Sequence, residues 1–373
     1  MPDANKSPKP RILLLSAYDA GSHRRWREQL VASQSAFEWQ TLALPPRYFR
    51  WRIRGNALTW LNEPLLQQRW DLLLATSMVD LASIKGFHPN LANTPALLYM
   101  HENQFAYPES EGQHASVDPQ MVNLFSATAA TGVLFNSAWN RRSFLDGVER
   151  LYQRLPDGVP ERSLEQLADK SRVLPVPIED RLFVRRAEPL DSRCPHILWN
   201  HRWEYDKGPE RLLLLLDELV MRGQDFRLSV VGEQFRQQPA VFDDILERHG
   251  ERIVYWGFMA DRDEYDRLLA TANIVVSTAI HDFQGLSMLE AMASGCVALA
   301  PDRLAYPEYM PQNQLYPSVI GNASEEAKGA AECLVALLNQ GAEPYPPVQW
   351  SLGNLAGAYE NMLITTVEKH RLS

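Results

Sequence analysis

Short apolar runs separated by stretches of helical period constrain this chain more than any other feature. In the first half the runs are "RILLLSAY", "WDLLLATSM", "PALLYMHEN", "TGVLFNSA" and "SRVLPVPI", with helical spacing between them, as from Ser22 to Ala32. Such a run bounded by turn residues is a buried strand, and buried strands alternating with helices form parallel βαβ units, because parallel neighbours need a long crossover. The pattern breaks at "IEDRLFVRRAEPLDSRCP" and restarts with "HILWNHRW", "FRLSVVGE", "RIVYWGF", "ANIVVSTA" and "CVALAP". The expected fold is α/β: a Rossmann-like domain over residues 1–185, a second over 186–345, and a helical tail over 346–373 that packs back across the junction. A length of 373 residues agrees, since single cores stop growing beyond about 250–300 residues. Two such halves in tandem make a cleft, and ligands bind at the carboxyl ends of the strands.

Composition narrows the function class. A formal net charge of -9 with 45% hydrophobic and 22% charged residues describes a folded soluble protein and excludes a surface built wholly for nucleic acid. Cys194, Cys296 and Cys333 are an odd number without CxxC spacing, so neither a disulfide framework nor a zinc site is expected, and a reducing cytoplasm fits. The polar opening has no signal-peptide pattern, and no window reaches the roughly 20 apolar residues of a membrane span, so no membrane partner is expected. One stretch departs from the acidic background. "LPPRYFRWRIRG" alternates Arg47, Arg50, Arg52 and Arg54 with Tyr48, Phe49 and Trp51, and no acid lies between Glu38 and Glu63. Guanidinium groups grip phosphates and aromatic rings stack on unpaired bases, so these residues are expected to bind RNA. The alternative is a loop whose aromatics turn inward and whose arginines are merely solvated.

Chemistry concentrates in four segments. "STAIHDFQGLSMLEAMASGCVALAP" holds a strand, a loop with His281, Asp282, Phe283, Gln284 and Gly285, and a helix from Leu286 that carries Glu290, separated from Asp282 by seven residues. The unpaired N–H groups at such a helix start attract an anion, and Glu290 can accept from vicinal hydroxyls. "WNHRWEYDKGPE" opens the second half directly after a strand. Arg202 can fork two phosphate oxygens and Lys207 adds a point charge; the pair is expected to bind a diphosphate, the alternative being a solvated surface pair. In "YDAGSH" Gly21 allows close backbone approach to a ligand, with His23 beside it, and in "YMHENQFAYP" His101 follows a strand, its alternative role being a hydrogen-bonded structural histidine. "DRDEY" contains an Asp-x-Asp, but Asp261 with Glu264 three residues later is a capping-box helix start, so no metal is assigned.

The acidic-x7-acidic segment resembles that of retaining glycosyltransferases with the GT-B fold, two Rossmann-like domains facing across a cleft; Asp282 stands where Glu is usual. Taken in order, "GSH", "HENQFAYP", "HRWEYDKGPE", "VVGEQF", "YWGF" and "HDFQGLSMLEA" are similar to one branch, the tRNA-queuosine mannosyltransferases. That resemblance implies GDP-mannose as donor, with no further cofactor and no metal, and queuosine-containing tRNA, of the aspartate type, as acceptor. It implies catalytic roles for His101, Asp282, Arg202 and Lys207. It places the donor on Gly21, Arg202, Lys207, the segment Trp256, Gly257, Phe258 and Met259 at the guanine edge, and His281 to Leu286 with Glu290 on the ribose. Two rival functions share these features: a GT-B enzyme with a small-molecule or glycan acceptor, and a non-catalytic RNA-binding protein on a decayed transferase fold.

Overall fold

The computed structural model describes residues 8–107, 116–155, 157–183, 192–235 and 238–372. In it the apolar runs are parallel strands. β1 (Arg11–Ser16), β2 (Glu38–Ala43), β3 (Leu72–Thr76), β4 (Ala96–Met100), β5 (Gly132–Phe135) and β6 (Ser171–Val173) form a sheet in the order β2-β1-β3-β4-β5-β6. β7 (His196–Trp199), β8 (Arg227–Val231), β9 (Ile253–Gly257), β10 (Ile274–Val276), β11 (Val297–Pro301) and β12 (Leu315–Tyr316) form a second, in the order β12-β11-β10-β7-β8-β9. All paired neighbours are parallel. Leu13, Leu15, Leu73 and Leu98 enter one core, while Ile12, Leu14, Leu72 and Leu97 on the opposite face are equally buried, as parallel sheets require when helices cover both sides.

Two strands lie outside the apolar runs. β2 is a half-exposed edge strand, and β12 has two residues, too few to form a run; β6 opens the run "SRVLPVPI" and pairs over three residues only. In each sheet the winding reverses at the first strand, between β1 and β3 and between β7 and β10. Those are the switch points beside which α/β proteins bind ligands.

The chain divides into two compact units, Met1–Val176 with Gly353–Ser373, and Pro177–Leu352. The sequence break put the division at 185/186; that position, 184–191 around it, the polar opening 1–7 and Pro108 of the "HENQFAYP" segment lie outside the described residues. The division falls earlier because Ile178 pairs with Ser351: its N–H donates to the Trp350 carbonyl (2.8 Å) and its own carbonyl accepts from Leu352 (2.8 Å). The closing helix, Leu352–Leu372, belongs with the first unit. There Tyr359 Oη accepts from Trp26 Nε1 (3.1 Å), donates to the Pro175 carbonyl (2.9 Å) and lies 3.2 Å from Tyr99 Oη. Among the described residues no helix is long and apolar enough to cross a membrane.

Candidate functional site

Two loops meet at the β7/β10 switch point of the second unit. After β7 the chain passes His201 and Arg202 into the turn Tyr205–Lys207, and Gly208 then starts the helix Pro209–Met221. Gly208 has φ +66°, and a Cβ there would collide with the Thr278 carbonyl oxygen, so only glycine permits this approach. The approach places Lys207 under the second loop. Its Nζ donates to the His281 carbonyl (2.8 Å) and lies 3.1 Å from Asp206 Oδ2 and 3.5 Å from Asp282 Oδ2. Asp282 Oδ1 accepts from the Gly285 N–H (3.0 Å), and Gly285, at φ +76° with Tyr306 and Tyr309 packed against it, begins the helix Leu286–Ala293.

Charge at this point is balanced tightly. Burial alone would lower the Lys207 pKa, but Asp282 and Asp206 raise it; burial would raise that of Asp282, but Lys207 holds it down. Both groups are therefore ionised. Burial brings the His201 and His281 imidazoles down to about 4, so they are neutral beside the Lys207 cation. Phe283 and Gln284 are buried, with the Phe283 ring edge-on to His281. Arg202 is the exposed cation of the loop, 2.9 Å from Glu204. Glu290 is fixed from the helix Arg262–Thr271, its Oε1 3.2 Å from Arg262 Nη2 and its Oε2 3.4 Å from Tyr265 Oη. At the start of that helix Asp261 accepts from the Glu264 N–H (3.0 Å), which is the capping role read from the sequence.

The base-edge segment divides. The Trp256 ring packs on Trp203 and Phe242, so it belongs to the core, whereas Phe258 is exposed, Met259 half-buried, and Gly257 adopts φ +101°. What this segment can present to a ligand is Gly257–Met259.

In the first unit, residues after β1, β3 and β4 converge at the β1/β3 switch point. Gly21 is exposed at the start of the helix Gly21–Ser33, and a Cβ there would meet nothing within 4 Å. His23 directs Nδ1 at the Tyr18 carbonyl (2.8 Å) and Nε2 at Glu102 Oε2 (2.9 Å), while Glu102 Oε1 accepts from Ser77 Oγ (2.6 Å). The His101 ring stacks on His23 with centroids 4.3 Å apart, and the rings of Trp26 and Tyr99 enclose it. Burial would lower the His23 pKa, but the Glu102 carboxylate and the Tyr18 carbonyl raise it above the ordinary value; burial and the His23 charge push His101 well down.

The basic stretch is a helix, Phe49–Thr59, entered through Tyr48 at φ 57°. The seven residues expected on RNA divide between its faces. Arg47, Tyr48, Arg50 and Trp51 are exposed, Arg47 over the Tyr48 ring at 5.6 Å and the Trp51 indole lying flat against Gly55. Phe49 turns inward onto Tyr18, Arg52 is buried, and Arg54 pairs with Asp80 at 3.0 Å. Arg54, which has no acid among its sequence neighbours, finds one on a distant loop, and the outward set is smaller than the seven residues expected.

Solved structures with the same fold include sucrose-phosphate synthase from Thermosynechococcus elongatus (TM-score 0.63, 16% identity, covering 97% of this chain and 98% of that one) and Anabaena HepE in complex with UDP (TM-score 0.59, 14% identity, 95% and 100%). The fold is GT-B. The model of glycosyl transferases group 1 matches residues 180–339, and the model of the tRNA-queuosine alpha-mannosyltransferase N-terminal region matches residues 11–178. The tRNA-queuosine alpha-mannosyltransferase of Drosophila melanogaster is 36% identical over 316 residues, 83% of this chain and 84% of the fly protein. This chain belongs to the tRNA-queuosine alpha-mannosyltransferase family. It is a glycosyltransferase, with a weaker likeness to a D-inositol 3-phosphate glycosyltransferase of Corynebacterium aurimucosum (25% identity, 63% of this chain, 51% of that one). For this family member the sequence alone misses Asp206, Arg262, Tyr265, Ser77 and Glu102. Asp206 and Glu102 sit directly beside Lys207 and His101 in the sequence, a signal available but unused; Ser77, Arg262 and Tyr265 carry none, because their partners lie 25 or more positions away.

Proposed function

We propose that this chain transfers mannose from GDP-mannose to queuosine in tRNA with retention of anomeric configuration. The observation that carries the reading is the likeness to the fly enzyme over most of both chains; the second unit's charge cluster supplies a physical route. The anomeric C–O bond to the diphosphate breaks as negative charge develops on the leaving oxygen. Lys207, Arg202 and the N–H groups opening the helix Leu286–Ala293 stabilise that charge, which needs no reorganisation when the donors are already in place. The acceptor hydroxyl oxygen bonds to the anomeric carbon on the same face, and its proton passes to the departing phosphate oxygen. Glu290 holds the ribose, Gly257–Met259 the guanine edge, and Asp282 keeps Lys207 charged and placed. His101 contacts the transferred sugar. Arg47, Tyr48, Arg50 and Trp51 grip the anticodon arm.

The test is purified protein with labelled GDP-mannose and total tRNA from cells with and without queuosine. Label in queuosine-containing tRNA alone is the expected result. Label in neither pool, with transfer to a small acceptor, would overturn the acceptor assignment, and absence of donor turnover under all conditions would overturn the enzyme mechanism.

A further inference from the structure

The His23 ring stacked on His101, the Glu102 carboxylate on His23 and the Ser77 hydroxyl on Glu102 have no part in the route just described. A carbonyl oxygen can only accept, so Nδ1 of His23 donates to Tyr18, and a carboxylate oxygen stands on Nε2. A ring with acceptors on both nitrogens is an imidazolium. We propose that Glu102 and His23 are a positioning pair for His101: the carboxylate, itself held by Ser77, locks the His23 ring between two acceptors, and the locked ring fixes the plane and the proton count of the His101 ring stacked on it. This inference rests on the reading of His101 as a group that touches the sugar.

The surroundings favour that arrangement from each side. The loop after β1 brings Asp19, whose carboxylate is shared with Arg24 and Arg27; the segment after β4 brings Glu102; Tyr99 on β4 and Tyr359 on the closing helix present hydroxyls that are not ionised. Asp19 and Glu102 both stabilise charge on His23. A second cation 4.3 Å away, on His101, is then opposed by the first. His101 stays neutral, with one donor and one acceptor nitrogen, and among the described residues its Nε2 makes no hydrogen bond. A ring in that state can both give and take a hydrogen bond with a sugar hydroxyl.

The experiment pairs side-chain ¹⁵N spectra of the full chain with kinetics of Glu102→Gln and His101→Ala. In the wild type the His23 ring is expected doubly protonated at neutral pH and the His101 ring neutral. Glu102→Gln is expected to leave His23 neutral and to lower kcat by about 10–100-fold, the usual effect of removing the partner that orients a functional group. GDP and tRNA affinities should stay within about twofold. Its kcat should also decline from pH 8 to pH 6 where the wild type is flat, because His101 is freed to take up a proton. A neutral His23 in the wild type, or wild-type turnover and pH profile in Glu102→Gln, would overturn the proposal. Wild-type turnover in His101→Ala would overturn the reading on which it rests and the proposal with it, whereas an inactive His101→Ala beside a fully active Glu102→Gln overturns the proposal alone.

Discussion

A lysine with 7% of its surface exposed and carboxylates at 3.1 and 3.5 Å is held charged and immobile, which is what a counter-charge for a leaving group must be. Lys207→Ala is therefore expected to lower kcat by about 10²–10³-fold, the usual loss for one preorganised stabilising group. It also leaves two buried acids without their cation, a change worth about 3–5 kcal/mol, so GDP binding and thermal melting belong beside the kinetics. Glu290→Ala should instead raise the donor KM with a smaller change in kcat, since a ribose contact is made equally before and during the reaction. Near-wild-type kinetics in both variants would remove the donor-site assignment. A pH consequence attaches to His201 and His281. Each has a folded pKa near 4, pushed down by burial, and an unfolded value near 6.5. Between those values the unfolded chain binds more protons, so stability is lost as pH falls below about 6.5, at roughly 1.4 kcal/mol per pH unit for each ring. Denaturant unfolding from pH 7 to pH 4.5 should show that slope, and His281→Gln should flatten it; an unchanged slope would show that His281 is not neutral in the folded state.

At the scale of the element, the helix Phe49–Thr59 carries Arg47 and Arg50 near its amino end with no acid in the first turn. Basic charge there opposes the helix dipole, whereas a phosphate would complement it. Replacing Arg47 and Arg50 with alanine is expected to reduce the log–log salt slope of tRNA binding by about 1.4, two single-strand phosphate contacts at about 0.7 each. Trp51→Ala should cost about 1–3 kcal/mol in affinity with little change of slope, because no counterion leaves with a base stack. Arg54→Ala should do neither. Its guanidinium serves Asp80, which caps the helix Leu81–Phe87 through the Ser83 N–H (3.1 Å), and a half-exposed pair of this kind is worth about 0–1 kcal/mol of stability. Filter binding across a salt series for the three variants separates these outcomes, and equal salt slopes in all would return the segment to a solvated face. The division of that helix was not legible in the sequence. Neighbouring residues show no acid, and the one that neutralises Arg54 lies 26 positions away.

Across the whole molecule, the counter-charges proposed for the diphosphate are the side chains of Lys207 and Arg202, and activity is expected to survive EDTA. Loss of turnover restored by magnesium or manganese would contradict the role given to Arg202 and Lys207. Two tandem parallel α/β units followed from the sequence alone, because burial on both faces of a strand leaves an apolar run that needs no tertiary information to see. The helix start at Leu286, the acids at 282 and 290, and the Asp261 cap were equally legible, since each is a local pattern of backbone geometry and spacing. The edge strand β2 was not: it alternates exposed and half-buried residues, so "EWQTLA" has no run to notice. The unit boundary at Val176/Pro177 depended on Ile178 meeting Ser351, 173 positions later. Only the tertiary structure decided which charges neutralise one another, as Lys207 with Asp282 and His23 with Glu102. An ion pair is a matter of a few ångströms in space, and spacing along a chain records that distance only within a turn or a helix.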